Sequence, residues 1–305
     1  MDRLEAMSIL SAAVEAGSFT AASRRLSVPL PTVSRKIADL ETHLNARLLI
    51  RTTRKLTLTD AGEAYLAAAR KILEQVSEAE RAAAGEYLAP RGNLAIAAPI
   101  VFGRLHVLPI ATAFLADFPD IDIQFVLSDR NADLIEEQID MAVRIGPLAD
   151  SSLVAARVGV VRSVVCASPA FLKSRGLPRT PDDLAALPCI TFGSTAANAW
   201  TFSSKGRGAR AIPVRSRLVV NTAEAAIDAA IGGVGIVRVL SYQVASAVAE
   251  RRLRIVLADD EPEPLPVHLV YPAQASHPPL KLRRFLEFAA PRLKKTLAAI
   301  EKRVA

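Results

Sequence analysis

Between Leu30 and Lys55 the chain gathers side chains suited to holding a polyanion. They are Thr32, Ser34, Arg35 and Lys36, followed by Arg51, Thr52, Thr53, Arg54 and Lys55, with the apolar Leu30 and Pro31 opening the run. Guanidinium and ammonium groups neutralise phosphates, and short hydroxyls reach backbone oxygens. An arginine fork can also span the O6 and N7 of a guanine. This chemistry is recognition rather than bond breaking, and it needs a rigid, protruding support.

The surrounding pattern supplies one. Leu4, Met7, Leu10 and Val14 recur at helical spacing, and Gly17 ends that first helix with a residue tolerant of left-handed backbone. Ser18 sits where an N-cap belongs, opening a second helix through Ala21, Ala22 and Leu26. A turn follows over 27–30. Pro29 and Pro31 straddle the start of a third helix, where proline costs no intrahelical hydrogen bond. Val33, Ile37, Leu40 and Leu44 form its apolar stripe, leaving Thr32, Ser34, Arg35 and Lys36 toward the other sides. Arg35 is the candidate for a bidentate guanine contact, and Thr32 or Ser34 for shorter ones. After Leu48 and Leu49, the alternation of Leu56 and Leu58 with Thr57 and Thr59 predicts a strand. Residues 51–55 then form the basic tip of a hairpin. This is the layout of a winged helix-turn-helix, and its phosphate contacts would make affinity fall steeply with salt.

The stretch AVEAGSFTAASRRLSVPLPTVSRKIADLETHLNARLLIRTTRKLTLTDAGEAYL resembles the N-terminal domain of LysR-type transcriptional regulators. Residues 15–22, 31–41, 46–51 and 58–62 carry the match. Two positions depart from the family pattern. Pro29 and Leu30 stand where a Ser/Thr-Gln pair is usual, so Leu30 can offer only apolar contact, for instance to a thymine methyl. Asn45 replaces the usual glycine after the third helix, and asparagine is the next best residue for a left-handed turn.

Thr59 or Asp60 can cap a long helix, with Glu63 completing an Asp-x-x-Glu box. Its stripe of Tyr65, Leu66, Ala69, Ile72, Leu73, Val76, Ala79 and Ala83 runs to about residue 87, before Pro90-Arg91-Gly92. Such a stripe needs a partner beyond a small domain. Packing on the C-terminal part would satisfy it; the resemblance implies a paired helix in a homodimer or homotetramer. Two-fold symmetry then lets two recognition helices meet double-stranded DNA with a two-fold operator.

From Gly92 onward strands and helices alternate, which predicts α/β architecture. Strands are expected at 93–98, 121–127, 141–145, 160–167, 214–220 and 268–271, and helices at 105–118, 133–138, 169–175, 222–231 and from 280 onward. The segments GNLAIAAP, LPIATAFLADFP, DMAVRIGPLADSSLVA and AAIGGVGI resemble the effector domain of LysR-type regulators, itself similar to two-subdomain periplasmic-binding-protein folds. The expected organisation is a DNA-binding domain at 1–59, a linker and dimerisation helix at 60–89, and an effector domain at 90–305. Within the last, subdomain I takes about 90–166 and 268–305 and subdomain II about 167–267, with crossings near 166–169 and 264–268.

A ligand in such a cleft is held at strand C-termini and helix N-termini, where backbone N–H groups favour anions. The candidates are Pro99, Ile100, Phe102, Ser128, Arg144, Asn221 and Thr222, with aromatic surface from Phe192, Trp200 and Phe202. The implied effector is a small molecule, aromatic or carboxylate-bearing. RNA polymerase is a further partner that the resemblance implies.

Other classes find little support. The 305 residues are 51% apolar with a formal charge of +7, fitting a folded protein with polyanionic partners. Cys166, Cys189 and the four histidines His43, His106, His268 and His277 give no metal-ligand spacing, so neither metal nor cofactor is expected. The GGVG run follows a helix, whereas a dinucleotide fingerprint lies between strand and helix. There is no G-x-S-x-G elbow or P-loop to support an enzyme. The charged opening Asp2-Arg3-Glu5 is not a signal peptide, which disfavours an exported transport receptor. The apolar stretch at 105–116 is interrupted by Arg104, Pro109 and Asp117, so no membrane span is expected and the cytoplasm is the expected location. The basic C-terminal helix reads as a solvated amphipathic face.

Overall fold

In the computed structural model, the Asp2 carboxylate accepts hydrogen bonds from the N–H groups of Leu4 and Glu5 at 3.0 and 3.2 Å and so starts α1 (Arg3–Glu15). The structure describes residues 1–51, 56–83, 89–148, 152–193, 199–204, 208–273 and 278–304. They fall into two units, Met1–Gly92 and Asn93–Ala305.

In the first unit Gly17 takes a φ of +71° after α1, and Ser18 caps α2 (Phe19–Leu26) by accepting from the Ala21 N–H at 3.1 Å. Helix α3 (Leu30–Leu44) opens on Pro29 and closes on Asn45, whose φ of 49° is the left-handed turn expected of it. Val33, Ile37 and Leu40 are fully buried with Ala6, Leu10, Ala13 and Ala22. The wing is β1 (Leu49–Arg51) against β2 (Leu56–Leu58), antiparallel, with Leu49 opposite Leu58 and Arg51 opposite Leu56.

Helix α4 (Asp60–Ala83) is capped by Thr59 rather than Asp60. The Thr59 hydroxyl accepts from the Gly62 N–H at 2.9 Å and donates to the Arg47 carbonyl at 2.6 Å. That pair of hydrogen bonds ties the start of α4 to the segment before the wing. The approach is so close that a Cβ on Gly62 would lie 2.0 Å from the Leu48 carbonyl oxygen. Beyond this point Leu66 and Ala69 are buried.

Strand β3 (Gly92–Ala98) leads into the second unit. One continuous helical run follows, made of α5 (Ile100–Phe102), a π turn at Gly103–Val107 and α6 (Leu108–Asp117). It starts five residues before the expected 105. Ile100–Asp117 is long and apolar enough to cross a membrane by composition. Phe102, Val107, Ile110, Ala111 and Phe114 nevertheless lie in the unit's largest core, as in a core helix.

The remaining elements are β4 (Ile121–Leu127), β5 (Met141–Ile145), β6 (Leu153–Val161), β7 (Ser163–Ala167), α7 (Pro169–Arg175) and β8 (Pro188–Phe192). After them come β9 (Ala199–Ser204), β10 (Gly208–Pro213), β11 (Arg215–Val220), α8 (Ala223–Ile231) and β12 (Ile236–Leu240). The chain closes with α9 (Ser241–Ala249), β13 (Arg254–Val256), β14 (Leu265–Pro272) and α10 (Leu280–Arg303). Two mixed five-stranded sheets result, ordered β4-β3-β5-β14-β6 and β11-β8-β12-β7-β13, with β9 and β10 as a separate hairpin. Each sheet anchors one lobe.

Several expectations are corrected here. The strand expected at 160–167 is two strands in different sheets, broken at Arg162. The first crossing is therefore at Arg162, not 166–169, and Cys166 lies inside the second lobe. The break has a cause: Arg162 donates its N–H to the Ser241 hydroxyl at 3.0 Å, and its guanidinium lies 3.3 Å from both Glu261 and Glu301. The return crossing occupies 257–264, and β14 starts three residues before the expected 268. The helix expected at 133–138 is a set of hydrogen-bonded turns that stops where Gln138 adopts a φ of 56°.

Gly62→Ala should destabilise the first unit by about 1–3 kcal/mol, because the added methyl has a carbonyl in its place. Urea unfolding followed by circular dichroism measures this, and an unchanged midpoint would show that α4 can shift freely away from Leu48.

Candidate nucleic-acid interface and ligand cleft

Burying Val33, Ile37 and Leu40 fixes the roll of α3. By helical geometry Pro31, Arg35, Ala38 and Thr42 then form the opposite, outward row. Arg35 is exposed and has no ion pair or hydrogen bond among the described residues. Thr32 and Ser34 flank it half-buried, and Leu30 is 41% exposed at the helix start. The outward row continues into a groove of about 740 Å³ lined by Ala38, Thr42, Arg47, Ile50 and Thr59, between the C-terminal half of α3 and the wing. A groove there can receive the nucleic-acid backbone between a helix in the major groove and a wing beside it.

One candidate contact already has a partner within the chain. Lys36 is turned back toward α1, ion-paired with Glu5, and its side chain is only 19% exposed. It holds α3 to α1 instead of facing outward, because position 36 lies on the α1 flank of the buried stripe. Arg51 is described only in its backbone, as the last residue of β1, and Thr52, Thr53, Arg54 and Lys55 lie outside the described residues.

The sequence reading missed two functional supports. The Glu41 carboxylate accepts from the N–H groups of Leu48 and Leu49 at 2.8 and 3.1 Å, which clamps the wing strand to the recognition helix. Arg47 adds an exposed cation on the groove. Both lie inside the matched segments, but the contact from residue 41 to 48 is non-local and leaves no periodic signal.

In the second unit the candidate cleft residues divide sharply. Pro99, Ser128 and Arg144 meet around a small pocket of about 30 Å³ with Asp129, Arg130 and Asn131. That is room for about two waters, so a larger ligand must part its walls. Ile100 starts its helix beside them, but its N–H already donates to the Asp129 carboxylate at 3.0 Å. The helix start at Ile100 is thus capped by the chain's own anion. Ser128 accepts from the Arg130 N–H at 3.2 Å, and Arg144 donates to the Ala132 carbonyl at 3.0 Å.

From the second lobe, Thr222 caps α8 by accepting from the Ala225 N–H at 3.3 Å, and Asn221 beside it is exposed. Phe192, half-buried, touches the cores of both lobes. Trp200 and Phe202 are corrected: they are 6% and 3% exposed in the hairpin's core with Cys189 and Ile236, because β9 turns them inward. Phe102 is corrected too. It is fully buried and stacks edge-on with His106 and with Tyr242 of α9, each at 5.1 Å. This trio joins the lobes, and Arg104 adds an ion pair to Glu224 in the first turn of α8. The reading also missed Arg238 on β12, which burial holds below the usual arginine range and which donates to the Thr201 carbonyl at 3.0 Å.

Burial pushes the thiols of Cys166 and Cys189 up to about 12, so neither is a nucleophile. Among the described residues no three His, Cys, Asp or Glu side chains are grouped to hold a metal ion.

A wing-bearing helix-turn-helix joined in one chain to a two-lobed unit with a polar cleft defines a ligand-responsive DNA-binding protein. Residues 4–63 match the bacterial regulatory helix-turn-helix protein model of the lysR family, and residues 89–294 match the LysR substrate binding domain. The chain belongs to the LysR family: it is a DNA-binding transcription regulator with an effector-binding domain, and not an enzyme. It is 32% identical to an uncharacterized HTH-type transcriptional regulator of Haemophilus influenzae, over 92% of this chain and 98% of that one. It is 30% identical to the transcriptional activator AaeR of Escherichia coli, over 93% and 91%. Among solved structures it is similar to CrgA of Neisseria meningitidis, with a TM-score of 0.61 at 29% identity, covering 95% and 98% of the two chains. The full-length virulence activator AphB of Vibrio cholerae gives 0.59 at 29%, covering 94% and 98%.

The lobe-joining trio makes a pH prediction. His106 has no partner for its buried Nε2, and burial lowers its pKa from 6.5 to about 4. The unfolded chain therefore binds the proton first, so stability is held above pH 6.5 and lost as pH falls toward 4. His106→Phe should flatten that part of the stability profile, measured by urea midpoints from pH 7 to 4. Identical slopes for both proteins would show that His106 is solvated.

Proposed function

We propose that Thr32, Ser34 and Arg35 read base edges in the major groove, with Leu30 and Pro31 giving apolar contact at the helix start. Arg35 carries this reading, as the exposed cation at the centre of the outward row. Arg47 and the wing residues 51–55 hold phosphates, while Lys36, ion-paired with Glu5, contributes less. Two chains act together on an operator with two-fold character. The exposed apolar side chains Ile72 on α4 and Leu105, Leu108, Leu127 and Val219 on the second unit support a homo-oligomer, since water-exposed groups of this size favour cover by a second copy. The chain works in the cytoplasm, and contact with RNA polymerase belongs to the same proposal.

The effector occupies the cleft floored by Pro99, Ser128 and Arg144 and faced by Asn221, Thr222 and Phe192. Arg144 offers a cation for a carboxylate on the ligand. Asp129 at the Ile100 N–H narrows where that carboxylate can sit.

A footprint on the DNA flanking the coding region tests this. Two protected half-sites should appear about 10 base pairs apart, centre to centre, or at a multiple of that spacing. Affinity should fall linearly on a log–log plot against salt, with a slope of about −0.9 per phosphate neutralised. No protection at low salt by the folded protein would contradict it.

A further inference from the structure

A second cavity, sharing no lining residue with the cleft pocket, lies beside β13, the free edge of the second sheet. Its volume is about 460 Å³, inside the range of about 300–1,000 Å³ typical of small-molecule sites. Val248, Leu253, Ile255 and Val304 form an apolar floor, and three arginines, Arg162, Arg251 and Arg254, stand around it.

The three cations are not equivalent. Arg162 is neutralised by Glu261 and Glu301 and also donates to the Val304 carbonyl. Arg251 and Arg254 are exposed and have no ion pair or side-chain hydrogen bond among the described residues. The neighbouring Glu250 is engaged by Arg252, and Asp259 and Asp260 do not line the cavity. Arg251 also occupies a position the backbone would give to another residue. It closes α9 with a φ of 58°, its N–H donating to the Val248 carbonyl at 2.9 Å, where glycine or asparagine is ordinarily favoured.

We propose that this cavity is a second small-molecule site, taking an amphipathic anion whose carboxylate or phosphate head binds Arg251 and Arg254 while its apolar body covers Val248, Leu253 and Ile255. Arg162 is the first crossing between the lobes and Ala258, also lining the cavity, belongs to the second. A ligand here touches both connections and biases how the lobes sit, independently of the cleft. The regulator thereby has two chemical inputs.

Octanoate is the probe, with acetate lacking the body and 1-octanol lacking the charge, titrated calorimetrically into the full-length protein. Octanoate should bind once per chain and raise the melting temperature, with both controls at least tenfold weaker. Arg251→Ala/Arg254→Ala, two exposed positions, with folding checked by circular dichroism, should weaken octanoate at least tenfold, while Arg144→Ala in the cleft should leave it unchanged. No octanoate binding to the unaltered protein would overturn the ligand class. Equal binding by the double variant, or loss only in Arg144→Ala, would overturn the site and leave the cleft reading standing.

Discussion

The structure of the DNA-binding unit depends on the roll of one helix. Val33, Ile37 and Leu40 of α3 are completely buried, and that burial decides which side chains face out. Rotating α3 by one residue would expose the stripe and turn Arg35 inward. Each of these apolar side chains is worth about 1.5–3 kcal/mol on burial, far more than any exposed ion pair on the same unit. Packing therefore sets the recognition surface, and polar contacts refine it. The Glu41 clamp on Leu48 and Leu49 then fixes the wing to the helix it must accompany, while Thr59 fixes the start of α4 to Arg47.

The effector unit follows a different economy. Its lobes are two mixed sheets joined by two connections, and the aromatic trio of Phe102, His106 and Tyr242 packs between them. The apolar packing of Phe102 and Tyr242 holds this junction, while the half-buried imidazole with its unpartnered Nε2 and the exposed Arg104–Glu224 pair add little to it. Such a joint favours a few discrete arrangements over continuous flexing, which is what a ligand needs if it is to shift an equilibrium between states.

Much of this was legible in the residues. The caps Ser18 and Asn45, the α3 stripe and the wing alternation were all visible, because each is a local signal with a fixed period or a dedicated residue type. So were β3, β4, β5 and α7. The second lobe was less legible. Strands β8, β9, β10, β12 and β13 and helix α9 went unassigned, since short buried strands carry no alternation and β13 has only three residues. The break at Arg162 was hidden inside a continuous apolar run. The aromatic residues Phe102, Trp200 and Phe202 were placed on the cleft because residue type says nothing about which side of a sheet a hairpin covers. Lys36 was misplaced for a related reason: its partner Glu5 is 31 residues away in sequence.

We propose that the roll of α3 brings Arg35, and not its neighbour Lys36, to the bases. Equilibrium titration of the unaltered protein, Arg35→Ala and Lys36→Ala on the footprinted site and on random DNA tests it directly. Arg35→Ala should lose about 1–3 kcal/mol on the site with little change on random DNA, whereas Lys36→Ala should keep the ratio of the two affinities. Equal loss on both DNAs for Arg35→Ala, or a specificity loss confined to Lys36→Ala, would contradict the assigned roll.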